Sequence, residues 1–139
     1  MVEAFSIRGL GLLATSWERD PPFAGDAAFG NSIRQYRADL VARYRMPAQE
    51  GADLASWFHT HRDGLESTVG IPQGIVVLGA LSLIEKDPAC VEDLAAANRW
   101  PERTGIPIED YLKRWESSCG EVKAPARLPG RLRAAFGLS

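Results

Sequence analysis

The segment Phe58-His59-Thr60-His61-Arg62-Asp63-Gly64 holds both histidines of the chain. An imidazole titrates near neutral pH, and one held by a carboxylate is the minimal general base. If the segment is helical, His59 and Asp63 stand one turn apart and can pair, as can Arg62 and Glu66. His59, His61 and Asp63 are therefore the candidate catalytic residues, acting as acid or base on a small-molecule ligand. A structural role is equally open to them, because a histidine late in a helix meets the negative end of the helix dipole.

Spacing argues against a metal. His59-Thr60-His61-Arg62-Asp63 resembles, over five positions, the H-x-H-x-D core of metallo-β-lactamase-like hydrolases. The resemblance implies a pair of metals, but those hydrolases complete the site with further histidines on a much longer αββα chain. This sequence has no third histidine. On a helix, moreover, residues two apart point about 200° from each other, which separates His59 from His61. No metal site is expected. Cys90 and Cys119 stand far apart with no C-x-x-C pair, so neither zinc nor a disulfide framework is indicated.

Gly9-Leu10-Gly11-Leu12-Leu13-Ala14 matches G-x-G-x-x-A, the dinucleotide fingerprint. A true site needs alternating strands and helices downstream, whereas a Pro/Gly-broken connector over residues 18–30 follows here, with Phe23 and Phe29 as its anchors. No cofactor is expected. There is no G-x-S-x-G elbow, phosphate-cradling loop or paired-carboxylate signature, so nucleophilic, kinase and glycosidase chemistry have no support.

Charge and aromatic content point elsewhere. The chain carries 16 Lys+Arg against 18 Asp+Glu, a formal net charge of −2. Arg34, Arg37, Arg43 and Arg45 with Tyr36 and Tyr44 make one stretch basic, and Lys123, Arg127, Arg131 and Arg133 make the C-terminal stretch basic. A nucleic-acid-binding regulator is the weaker alternative, opposed by the acidic remainder and the lack of helix-turn-helix spacing. Trp17, Trp57, Trp100 and Trp115 are many tryptophans for this length. Aromatic and arginine side chains are what protein interfaces prefer. Arg37, Trp57, Arg62 and Trp115 are accordingly the candidate binding residues. The leading expectation is a small helical interaction or accessory protein, self-associating as a homodimer or meeting a protein partner. The runner-up is a small helical enzyme or small-molecule binder built on the histidine segment.

The elements that must position these residues read as helices. Ser32 to Arg45 places Ile33, Tyr36, Leu40, Val41 and Tyr44 on one face, and Met46-Pro47 supplies a stop. Gly51 to Asp63 carries Leu54, Trp57 and Phe58 on one side, with Gly64 as terminator. Pro72-Gln73-Gly74 opens a run to Lys86 that is apolar nearly all round and therefore central. Asp87-Pro88 is a helix-opening pair, and Ile108 to Cys119 forms an amphipathic helix stopped at Gly120. An N-terminal helix through Ala4, Ile7, Leu10, Ala14 and Trp17 is opposed by Gly9 and Gly11, each costing about 1 kcal/mol.

The reading is all-α, five to six helices packed around a central apolar helix at about 74–86. Its 139 residues suit a single helical domain over 1–120 with a basic C-terminal arm over 121–139. The arm's Pro125, Pro129 and Gly130 favour an extended path with a short helical turn over Leu128 to Phe136. The start lacks the basic region of a signal peptide, and the longest apolar run is about half of a bilayer crossing. A cytoplasmic protein of a GC-rich bacterial source, without membrane contact, is expected.

Overall fold

The computed structural model describes residues 1–23, 25–26, 28–45, 53–66, 74–101 and 105–138. Among them every regular element is helical: α1 Val2–Arg19, α2 Phe29–Arg45, α3 Leu54–Glu66, α4 Gly74–Lys86, a 3-10 helix Pro88–Ala96, α5 Ile108–Val122 and α6 Arg127–Ala135. The all-α expectation holds. The stop at Met46-Pro47, the start at Gly51 and the opening at Pro72-Gln73 lie outside the described residues. The chain groups into two compact units, Met1–Ala48 with Gln73–Leu81 and Gln49–Pro72 with Ser82–Ser139.

In the first unit α1 and α2 run antiparallel, since Glu18 pairs with Arg34 while Ile7 accepts from Arg37 nearer the other end. Ala4, Ile7 and Ala14 of α1 and Gly30 and Ile33 of α2 are buried. The small residues let the backbones approach. A Cβ at Gly30 would stand 2.8 Å from Glu18 Cγ and 3.2 Å from the Ala14 carbonyl. That contact explains why α2 begins at Phe29, ahead of the expected Ser32: the extra turn carries the glycine on which the pair closes. Gly74, opening α4, likewise lies against the Tyr44 carbonyl, where a Cβ would overlap it.

Helix α1 passes through both of its glycines. Gly11 packs against the Arg37 side chain, with a Cβ position 3.1 Å from Nε. In the connector, Phe29 meets Trp17 at 5.1 Å and the Trp17 indole donates to the Asp26 carbonyl at 3.0 Å. Phe23, expected as a second anchor, is instead largely exposed.

Helix α4 is helical over the whole apolar run, but it is not buried all round. Val77, Ala80, Leu81 and Ile84 are buried at three- and four-residue intervals, Leu78 is half-buried, and Ser82, Glu85 and Lys86 are exposed. Among the described residues no helix is long and apolar enough to cross a membrane.

The second unit is organised around Asp93, which is fully buried. The stretch after Asp87-Pro88 is a 3-10 helix rather than the expected α-helix, and its hydrogen bonds show why. The Ala97 N–H reaches back to Leu94 at 3.2 Å, which leaves the Asp93 carbonyl to accept the Trp115 indole N–H at 2.7 Å. An α-helix would direct the Ala97 N–H to the Asp93 carbonyl. Asp87 stands at the helix start, but its carboxylate turns to Arg127 and Arg131, at 3.2 and 2.7 Å.

Helix α5 runs through Gly120 and ends on Lys123, whose φ is 59°. The Lys123 N–H reaches the Gly120 carbonyl and the Ala124 N–H reaches that of Cys119 at 2.9 Å. This pair of bonds forms a Schellman closure, with lysine where glycine is usual.

In the basic stretch, the helical turn expected over Leu128 to Phe136 is α6, and it packs into the unit instead of ending an extended arm. Pro129 sits in the first turn, where no intrahelical partner awaits its missing N–H. The Asp93 carboxylate accepts the N–H groups of Ala126 at 2.8 Å and Leu128 at 2.6 Å, capping the helix from a residue remote in sequence. Leu128, Leu132 and Phe136 are buried, and Phe136 stacks on Phe58 of α3 at 4.6 Å. Arg133 reaches Glu116 of α5 at 3.3 Å. Acidic partners within the unit thus engage three of the stretch's cations.

Candidate functional site

Helix α3 carries the histidines. It opens on Asp53, whose carboxylate accepts the Ser56 N–H at 2.9 Å and the Ser56 hydroxyl at 2.7 Å. These bonds hold the Asp53 carboxyl below its ordinary range. The helix does not stop at Gly64 but continues to Glu66, whose side chain lies outside the described part.

His61 is half-buried, with Nδ1 2.9 Å from the Trp57 carbonyl. A carbonyl only accepts, so Nδ1 bears a proton and donates it to Trp57. The ring lies stacked on the Trp57 indole, centroids 4.6 Å apart and planes 15° apart. His59 is exposed and lies edge-on to Phe58, and no hydrogen bond joins it to Asp63. Arg62 donates to Glu109 of α5 at 2.5 Å and lies over the Phe58 ring at 5.9 Å. The arginine therefore ties α3 to the body of its unit.

The structure brings Trp57 and His61 together and sets Arg62 nearby. It does not bring in the other candidates. Trp115 is buried inside the unit, 1% exposed. Arg37 belongs to the first unit and donates from Nε to the Ile7 carbonyl at 3.1 Å. Among the described residues no group of three or more His, Cys, Asp or Glu is placed to hold a metal.

Both cysteines are buried. Burial first, and then the neighbouring Asp93 charge, push the Cys119 thiol up to about 11, and burial also raises Cys90. A thiol held protonated is a poor nucleophile. We expect a thiol reagent at pH 8 to leave both cysteines unmodified in the folded protein and to label both after denaturation. Rapid labelling of native Cys119 would contradict this burial. The linkage has a definite sign. An unfolded thiol ionises near 9 while native Cys119 stays protonated to about 11, so its contribution to stability is present below pH 9 and declines as pH rises through that window.

A second surface lies on the first unit and was not anticipated from the sequence. On α1, Val2 is 75% exposed, Phe5 42%, Leu12 56% and Leu13 46%. They lie opposite Ala4, Ile7 and Ala14, so the helix has one apolar face against α2 and another toward solvent. Val2 also borders a shallow groove of about 130 Å³ shared with Glu3, Ser6, Ile7, Leu40 and Tyr44. The signal was present in the spacing. Positions 2, 5, 9, 12 and 16 alternate steps of three and four, the heptad pattern of a helix seam. Gly9 and Ser16 interrupt that pattern with non-apolar types, which masks it in the sequence.

Comparison with protein-family models, with curated proteins and with solved structures gives no match.

Proposed function

We propose that this chain is a protein-interaction module whose contact face is the outer side of α1. The observation that carries the reading is the exposure of Val2, Phe5, Leu12 and Leu13 along one side of a helix whose other side is already packed. Contiguous apolar surface of this kind marks sites of association. Tyr36 and Phe29 of α2 extend the exposed aromatic content of the same unit. The arginines contribute less than their number suggested, because Arg34 is engaged with Glu18 and Arg37 with the Ile7 carbonyl.

A photo-crosslinking residue placed at Leu12 tests the proposal, with a second placed at Lys113, exposed on α5, as the control. In an extract of the source cells, the Leu12 probe should join to protein several-fold more than the Lys113 probe. Equal, background capture at both positions would sink it.

A further inference from the structure

We infer that the occupant of the α1 face is a second copy of this chain, paired antiparallel along the seam Val2–Phe5–Gly9–Leu12–Ser16. The inference rests on the interaction reading above and names its partner.

Gly9 is the starting point. A glycine inside a helix costs stability, and close contacts within the first unit account for Gly11, Gly30 and Gly74 but not for Gly9. A Cβ at Gly9 would meet nothing within 4 Å in its own chain. It lies in the middle of the exposed seam, where the missing side chain leaves a notch between Phe5 and Leu12.

The seam matches itself in one orientation. In an antiparallel pair of heptad helices, the first and fourth positions of one chain face the fourth and first of the other. Gly9 then faces the partner's Leu12, and Phe5 faces the partner's Ser16. Large residues meet small ones at both layers, which is how side chains from facing helices interdigitate. Val2 falls beside the aliphatic stem of the partner's Arg19, whose charge lies at the first turn that bears Glu3. A parallel pair would set Gly9 against Gly9, leaving a void, and Arg19 against Arg19, a like-charge layer. The antiparallel arrangement is also two-fold symmetric, so the same patch serves both copies and the assembly closes at a dimer.

The area is adequate for a weak dimer. From their exposed fractions, the four apolar side chains offer roughly 400 Å² per copy, on the order of 800 Å² for the pair before the Ser6, Ser16 and Arg19 rim is added. Specific interfaces begin near 1,200 Å², so association in the range of about 1–100 µM is expected.

Sedimentation velocity on the intact chain between about 1 and 300 µM should show the mass rising from monomer to dimer. Leu12→Glu and Gly9→Gln should each weaken association at least tenfold while helical circular dichroism stays unchanged, because Leu12 is exposed in the monomer and a side chain at position 9 would meet open space. Orientation is read by crosslinking, and the buried native cysteines do not compete. The Phe5→Cys, Ser16→Cys double variant should form an intermolecular disulfide quickly, and Ser16→Cys alone slowly. A monomer at every concentration, a dimer that survives both seam variants, or equally fast linkage in Ser16→Cys alone would each overturn the inference. A monomeric chain whose Leu12 probe still captures other proteins would overturn this inference alone. Failure of that probe to capture any protein would overturn the interaction reading beneath it.

Discussion

Asp93→Ala is expected to cost the second unit about 3–5 kcal/mol and to release α6 from it. The carboxylate accepts two backbone N–H groups, from Ala126 and Leu128, and the residue is wholly buried. Hydrogen bonds to a charged acceptor contribute about 1.5–3 kcal/mol each, and alanine would leave both donors without that acceptor, Leu128 buried and Ala126 half-buried. Amide exchange localises the effect: protection at Ala126 and Leu128 should collapse, while that of the α1 core positions Ile7 and Ala14 is retained. Asp93→Asn keeps one acceptor oxygen and should lose roughly half as much. Unchanged exchange at Ala126 and Leu128 in the alanine variant would show that the cap is not what holds α6.

The second large effect belongs to Trp115. Removing a buried tryptophan to alanine costs about 3–5 kcal/mol through lost burial and the cavity left behind. Here an additional penalty follows, because the Asp93 carbonyl loses the indole donor it holds at 2.7 Å and the 3-10 helix loses its reason for that geometry. Trp115→Phe keeps one aromatic ring but removes the indole N–H together with part of the buried volume, with an expected cost of about 2–3 kcal/mol, below that of the alanine variant. Urea denaturation followed by far-ultraviolet circular dichroism checks both values. A Trp115→Ala variant as stable as the parent would mean that this side chain is not part of the core.

Several elements could be read from residue order. The stripe Ile33, Tyr36, Leu40 and Tyr44 defines α2, and the acidic-first order of Glu109 and Asp110 before Lys113 and Arg114 marks α5; both helices are present. What could not be read depends on groups far apart in the chain. Gly120 and Gly64 looked like stops, yet α5 and α3 continue past them, because a glycine inside a helix costs only about 1 kcal/mol and packing readily offsets that. Pro125, Pro129 and Gly130 pointed to an extended path around only a short helical turn, but Pro129 falls in the first turn of α6, where it is harmless once Asp93 supplies the cap. No local pattern could announce a cap arriving from so distant a residue.

The candidate site divides in the same way. The stacking of His61 on Trp57 is a four-residue relation and follows from helical spacing. The outward seam of α1 shares its helix with a second stripe through Ala4, Ile7 and Ala14, which is the one that is buried. Two stripes on one helix compete for the same interpretation, and only the fold shows which of them is left over.

The stacking of Phe58 on Phe136 has a consequence for synthesis on the ribosome. The two rings are separated by roughly 80 residues, which at about 5–20 residues per second is a delay of roughly 4–16 s. Throughout that interval Phe58 has emerged without the aromatic ring that will cover it, and for its last part, roughly 35 residues, the Asp93 carboxylate also awaits the N–H groups of a helix not yet made. The α1–α2 hairpin faces no such wait, because its partners are neighbours in the order of translation. The nascent chain is therefore half organised early and half dependent on the later synthesis of α6. A premature stop before Arg127 would leave Phe58 and the Asp93 carboxylate permanently exposed to chaperones and proteases.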